Sequence, residues 1–282
     1  MAREIDVSEI GDAVRRLAAR ACIHLGERET AALEAALADE PFEPAKAVLR
    51  DLIENARIAA SEGIPICQDT GLAVVFVELG DGVTLAGGSL REAVDEGVRA
   101  GYAEAFLRRS VVSDPLERVN TGDNTPAVLH VERVDTPDAV RVMLDAKGGG
   151  SENCSRVAML TPGDGREGVI DFVVETVEKA GGKSCPPLVI GVGVGGNFET
   201  APYMAKKALL RPLGDPSPEK HLAGLEAAIL KRVNATGIGP AGLGGRTTAL
   251  AVHVRAAPCH IASLPVAVNL DCHAHRHGEV TL

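Results

Sequence analysis

Four clusters of glycine place the strongest limit on what this chain of 282 residues can fold into. Residues 147–153 read KGGGSEN, 181–187 GGKSCPP, 187–197 PLVIGVGVGGN and 238–245 IGPAGLGG. Of the 31 glycines, 13 fall in these four stretches, so they are not spread evenly. Glycine lacks a Cβ, so it takes up positive φ readily and lets main chain come close to a ligand, at a cost in conformational entropy. Loops of this kind imply a site contacted by backbone.

Between the clusters the hydrophobic pattern alternates in type. Residues 8–39 carry Ile10, Val14, Leu17, Ala18, Ala21 and Cys22 at helical spacing, and 44–61 place Val48, Leu49, Leu52, Ile53, Ala56 and Ala59 on one face. Helices are also expected over 89–110, 168–181, 198–210 and 220–235. Residues 72–79 read as a strand, 127–134 and 139–146 as two strands bracketing a turn at 136–138, and 188–195, 247–256 and 261–270 as further strands. Helices and antiparallel-looking strand pairs intermix without a simple βαβ rhythm. The expectation is an α+β fold, helices and sheet mixed with Gly-rich loops around a site, in one domain over 1–282 that could hold two subdomains.

Composition narrows the function. Aromatic residues are 2% with no Trp, so the core is aliphatic and base-stacking platforms are disfavoured. The net charge of −10 argues against a polyanion partner such as nucleic acid, but not against a small anionic substrate held by a few local cations. The N-terminal stretch is charged throughout and no run approaches the ~18 apolar residues of a membrane span. A cytoplasmic protein is expected, with its six cysteines reduced.

Four features invite a chemical reading. Gly191-x-Gly193-x-x-Gly196 follows an apolar strand and opens a helix, as a dinucleotide fingerprint would, yet Asp215 does not end a second βαβ strand. A tight turn with close packing is the preferred reading, and a nucleotide-binding module stays as a distant alternative. His273, His275 and His277 alternate as on one face of a strand; zinc is conceivable, an exposed terminal run more ordinary. Lys147 and Lys183 border Gly-rich loops and read as solvated charges or anion holders. Cys67, Cys185 and Cys272 each sit at the end of an element beside polar or turn residues, whereas Cys22 lies mid-helix like a small core hydrophobe. Three thiolates meeting at one point suit an iron–sulfur cluster with one iron left open.

The segments ICQDTG, NTGDNTPA, KGGGSEN, GGKSCPP, GVGVGGN and NLDCHAHRH occur in the same order as in the iron–sulfur hydro-lyases of the class I fumarase and L-tartrate dehydratase family, and the chain resembles their separate α subunit over almost its whole length. The resemblance implies a 4Fe–4S cluster on Cys67, Cys185 and Cys272. Cys154 and Cys259 do not match ligand positions. It implies substrate contacts from Gln68, Asp69, Arg108, Gly150 and Asn153, with Arg109 leaving the arginine's register open by one, and a catalytic role for Asp69 and for His260 as its tuning or relay partner.

Further substrate arginines, a lysine and the threonine considered as base lie in the family's other domain. The resemblance therefore implies a β subunit that completes the site, in an α2β2 assembly acting on a small dicarboxylate. Conversion of (S)-malate to fumarate is the expected reaction, preferred for its place in the tricarboxylic acid cycle. Dehydration of L-tartrate to oxaloacetate is the alternative.

Overall fold

A computed structural model describes residues 3–282. In chain order the elements are β1 (Arg3–Asp6), α1 (Val7–Ile23), α2 (Glu27–Asp39), α3 (Glu43–Glu62), β2 (Leu72–Gly80), β3 (Val83–Ala86), α4 (Leu90–Glu104), β4 (Val128–Val134) and β5 (Val140–Lys147). There follow α5 (Gly149–Glu152), β6 (Arg156–Leu160), α6 (Gly165–Ala180), β7 (Leu188–Gly195), α7 (Thr200–Leu209), α8 (Lys220–Asn234), β8 (Ala249–Ala257), β9 (Leu264–Asp271) and β10 (His277–Thr281). The fold is α+β, as expected. Its residues divide into two compact units.

The first unit holds residues 3–25, 56–149 and 276–282. Its main sheet has the order β10-β5-β2-β4, and β1 pairs with β3 separately. The strands expected on either side of the 136–138 turn both form but are not neighbours. β2 lies between them, antiparallel to β5 and parallel to β4. α1 starts at a capping box in which Asp6 accepts from Ser8 N at 2.9 Å and Glu9 accepts from Asp6 N. Its six anticipated apolar positions are all buried, and they pack with α4 and the sheet in one aliphatic core. The two helices approach closely: a Cβ on Gly97 would stand 2.3 Å from Gly11 O.

The second unit holds 26–55 and 150–275. Its sheet has the order β6-β9-β7-β8, with β7 parallel to β8 and antiparallel to β9. α6 and α8 cover an aliphatic core on the sheet.

Gly191 and Gly193 lie inside β7. A Cβ at either would meet the Ala205 or Ala201 carbonyl of α7 at 2.0 or 2.1 Å, so these glycines admit a helix against the strand. Only Gly195 and Gly196 turn the chain, at φ 84° and 64°. The Asn197 side chain already accepts from Glu199 N and Thr200 N at the start of α7, occupying donors that a dinucleotide phosphate would need. Gly193→Ala is expected to cost about 1–3 kcal/mol through overpacking, read as a lowered thermal midpoint. An unchanged midpoint would refute the packing role.

No helix among the described residues is long and apolar enough to cross a membrane.

Candidate functional site

In the first unit the chain leaves α3 and reaches β2 through Cys67-Gln68-Asp69-Thr70-Gly71. The loop is held by its backbone. Ile66 N donates to Cys22 O at 2.8 Å, and the buried Tyr102 hydroxyl donates to Thr70 O at 2.9 Å. Gly71 takes φ 74° where a Cβ would stand 2.4 Å from Lys147 O, so the turn requires glycine. This scaffold leaves Cys67 half-buried, Gln68 exposed and Asp69 half-buried.

Asp69 is fixed at both oxygens: Oδ1 accepts from Gly71 N at 3.1 Å and Oδ2 from Gly149 N at 2.8 Å. The second bond draws the Gly149 backbone to the carboxylate; a Cβ at Gly148 would stand 2.8 Å from the Arg276 guanidinium, while one at Gly149 would make only ordinary contact with Asp69 Oδ2 at 3.7 Å. Arg108 is tied to the same loop by Thr70, whose hydroxyl donates to Arg108 O at 3.0 Å. Its guanidinium is exposed and pairs with no carboxylate among the described residues. Arg109 is exposed too.

Beneath the loop lies a polar layer that sequence reasoning missed. Asp145, Lys147 and Arg276 are buried, and Arg276 Nε donates to Ala146 O at 3.3 Å. Lys147 is thus no solvated charge: it ends β5 inside the unit at 2% exposure. Cys22 shares this layer. Burial pushes its thiol up to about 12, opposed by Arg276 and reinforced by Asp145, so it stays protonated.

In the second unit Cys185 and Cys272 come together. Cys185 ends the 3-10 turn 181–184 in the left-handed region, at φ 55° and ψ 62°, an uncommon conformation for a residue with a side chain and one concentrated at functional sites. Its carbonyl accepts from His273 N at 3.3 Å, which joins the Cys185 turn to the end of β9 where Cys272 stands. Cys185 is exposed and Cys272 half-buried.

Asp271 organises this end of β9. Its carboxylate accepts from Cys272 N at 3.1 Å, from Ser151 Oγ at 3.4 Å and from His275 Nδ1 at 2.7 Å. The expected histidine strand is therefore absent: 272–276 is a turn, His275 has φ 28° and is buried, and only His277 starts a strand. The Asp-x-x-x-His spacing around Cys272 was the available signal for this pair.

Gly150 and Asn153 are exposed on the short α5 segment and its end, and a Cβ on Gly150 would lie 3.4 Å from Lys183 O. His260 is placed elsewhere. It is exposed in the β8–β9 turn, where its Nδ1 accepts from Ala262 N at 3.1 Å. β9 runs from that turn to Cys272, so His260 and the two cysteines occupy opposite ends of one sheet, on the order of 25 Å apart at strand rise. Cys259 shares the turn and donates to Ser263 O at 3.3 Å, while Cys154 packs partly against the core.

The donor chemistry fits an iron–sulfur cluster. Cys67, Cys185 and Cys272 all sit at element ends with accessible thiols on well-tethered backbone, unlike the buried, protonated Cys22. Gly-rich segments bring N–H groups to the same loops, as charge stabilisation requires.

Comparison with known proteins gives the same direction. The family model for fumarate hydratase (Fumerase) matches residues 11–281. The chain is 42% identical over 276 residues to the putative L(+)-tartrate dehydratase subunit alpha of Methanocaldococcus jannaschii, covering 96% of each chain. It is 35% identical over 239 residues to the L(+)-tartrate dehydratase subunit alpha of Escherichia coli strain K12, covering 83% of this chain and 78% of that one. A match spanning nearly every element, with relatives this similar over most of both lengths, establishes that the chain belongs to the fumarate hydratase (Fumerase) family and is a hydro-lyase.

Proposed function

We propose that this chain is the α subunit of a hydro-lyase that dehydrates L(+)-tartrate to oxaloacetate, holds a 4Fe–4S cluster on Cys67, Cys185 and Cys272, and works with a β subunit in an α2β2 assembly. The observation that carries the substrate is the pair of relatives at 42% and 35% identity, both bearing the name L(+)-tartrate dehydratase subunit alpha. This reverses the order expected from the sequence, which put (S)-malate first on metabolic grounds. Malate and fumarate remain the second reading because the family description is fumarate hydratase. A cytoplasmic setting, where thiols stay reduced, suits such a ligand set.

The reaction removes the C2 hydroxyl and the C3 proton of the diacid. The resulting enol rearranges to the keto acid. When bound, the cluster supplies a Lewis-acidic iron without a protein ligand, suited to polarising a departing hydroxyl. The chain's own residues supply position and charge. Arg108, an exposed guanidinium tethered beside the Cys67 loop, presents a fork matched to a carboxylate. Gln68 and Asp69 follow the first ligand directly and orient the diacid's hydroxyl groups. Asp69, clamped by two N–H groups, keeps lone pairs for a substrate hydroxyl proton. Gly150 and Asn153 offer a backbone N–H and a side-chain amide to the charge that spreads into the neighbouring carboxylate. His260 stands at the end of its sheet opposite Cys185 and Cys272 and takes no part in these steps. The proton at C3 is left to a base on the β subunit.

Coexpression with the β subunit under anaerobic conditions tests the assignment. Oxaloacetate formation from L-tartrate is expected with kcat/KM at least tenfold above that for (S)-malate dehydration. A preference for malate would overturn the substrate and restore the fumarase reading. A site separates two such diacids by pairing or stranding one hydroxyl, which is worth far more than tenfold when the partner group is buried.

A further inference from the structure

Cys272 is the first residue after β9, and one pair of side chains frames it. Asp271, just before it, is fixed by the sheet, where it stands opposite Val189 of β7. Its carboxylate turns onto the residues that follow: Oδ1 accepts from Cys272 N at 3.1 Å and Oδ2 from His275 Nδ1 at 2.7 Å. Ser151 Oγ adds a longer contact to Oδ1 at 3.4 Å. On the other side of the turn, His275 N donates to Cys272 O at 3.0 Å. Both main-chain polar groups of Cys272 are thus engaged by two residues that are themselves joined through their side chains. All of these residues lie in the second unit.

Two features are costly for a turn that serves the fold alone. His275 takes φ 28°, in the left-handed region that bulky side chains avoid and glycine enters freely. Its ring and the Asp271 carboxylate are both buried, which forfeits their hydration. Glycine at 275 would make the same turn without either cost. Strain of this sort collects where the surroundings hold a group for function. The residue that this turn encloses is Cys272, which stays half-buried.

We propose that Asp271 and His275 are a positioning pair for Cys272, which fixes the backbone of this ligand and so sets how firmly the cluster is held. The proposal rests on the cluster in the proposed function. Neither residue is among the positions that the family resemblance assigns. Cys67 and Cys185 are held differently, by the tethers of the 66–71 loop and by the 181–184 turn, so substitutions in the pair address one corner of the mount. Groups behind a metal ligand typically change metal affinity by about 10- to 100-fold, because they keep the ligand in its bound orientation.

The test reads iron, not turnover. Anaerobically purified holoenzyme is mixed with ferrozine, and iron release is followed by the colour of the ferrous complex. After complete iron removal, the thermal midpoint of each protein reads the fold separately. Asp271→Ala and His275→Gly are expected to release iron about 10- to 100-fold faster than the parent. His275→Gly relieves the backbone, so its iron-free midpoint should be unchanged or raised. His275→Asn should stay within about threefold of the parent, since asparagine tolerates the left-handed region and its amide N–H can replace Nδ1–H toward Asp271. The double variant should release iron no faster than the faster single variant, as for two residues acting as one unit.

Parental release rates in both single variants overturn the pair, and so does a His275→Asn variant as fast as His275→Gly. Faster release that appears only with a lowered iron-free midpoint reassigns the pair to the fold. A double variant whose acceleration is the product of the two singles overturns their joint action. A parent enzyme without iron refutes the cluster and the proposed function with it, whereas an iron-loaded parent matched by its variants refutes the positioning pair alone.

Discussion

Serine at Cys67, Cys185 or Cys272 is expected to reduce the iron of anaerobically purified protein from about four per chain to below one. Serine keeps the shape of each loop and replaces a soft thiolate by a hydroxyl that stays protonated and binds iron weakly. Loss of one of three corners leaves a cluster without a complete protein mount. The other cysteines are the controls, and their environments say why. Cys22 lies in the buried polar layer with a thiol pushed up to about 12, so it cannot supply a thiolate near neutral pH. Cys154 packs against the second core, and Cys259 sits in a turn remote from Cys272. Serine at any of these three should leave iron content and the visible thiolate–iron absorption unchanged. Equal iron in all six variants would dismantle the ligand set, and a loss at Cys154 comparable to that at Cys67 would redraw it. The readout is metal content, so it stands apart from turnover and from the β subunit.

The parts legible in the sequence are those whose signal is local. α3, α6 and α8 carry a repeated apolar face and form within a few residues of the expected bounds, whereas the single helical pattern expected over 8–39 is broken at 24–26 into α1 and α2. β2, β5 and β7 are apolar runs long enough to read. β1, β3, β6 and β10 are four or five residues long and escaped notice, because so short a strand is specified by its partner more than by its own pattern. The order of β2 between β4 and β5 is likewise non-local.

The site divides in the same way. Cysteines at element ends and clustered glycines could be read directly. Burial of Lys147, His275 and Arg276 could not, since each looks like a solvated charge until tertiary packing covers it. Nor could the distance of His260 from Cys272. A matching motif identifies a residue type, and only the direction of β9 shows that the two lie at opposite ends of a strand.

Asp69→Asn is expected to lower kcat by about 10²- to 10⁴-fold in the assembled holoenzyme, the usual range for a positioned acid–base group. The substitution is nearly isosteric and leaves the Cys67 loop its Tyr102 and Ile66 tethers, so iron content should hold. Two changes occur at the carboxylate. The amide carries one acceptor oxygen in place of two, so either Gly71 N or Gly149 N, which now donate to Oδ1 and Oδ2, must face an NH2 group. The amide also cannot take up a proton from the substrate.

The first change alone predicts a rotated side chain and a raised KM with kcat little altered, as for a group that only positions the substrate. The second predicts a fall in kcat at unchanged KM, because the lost interaction is made in the transition state. Measuring the two parameters separately decides between them. A kcat within threefold of the parent, with iron retained, would remove Asp69 from the chemistry and leave it as the clamp that holds the 148–149 backbone beside the Cys67 loop.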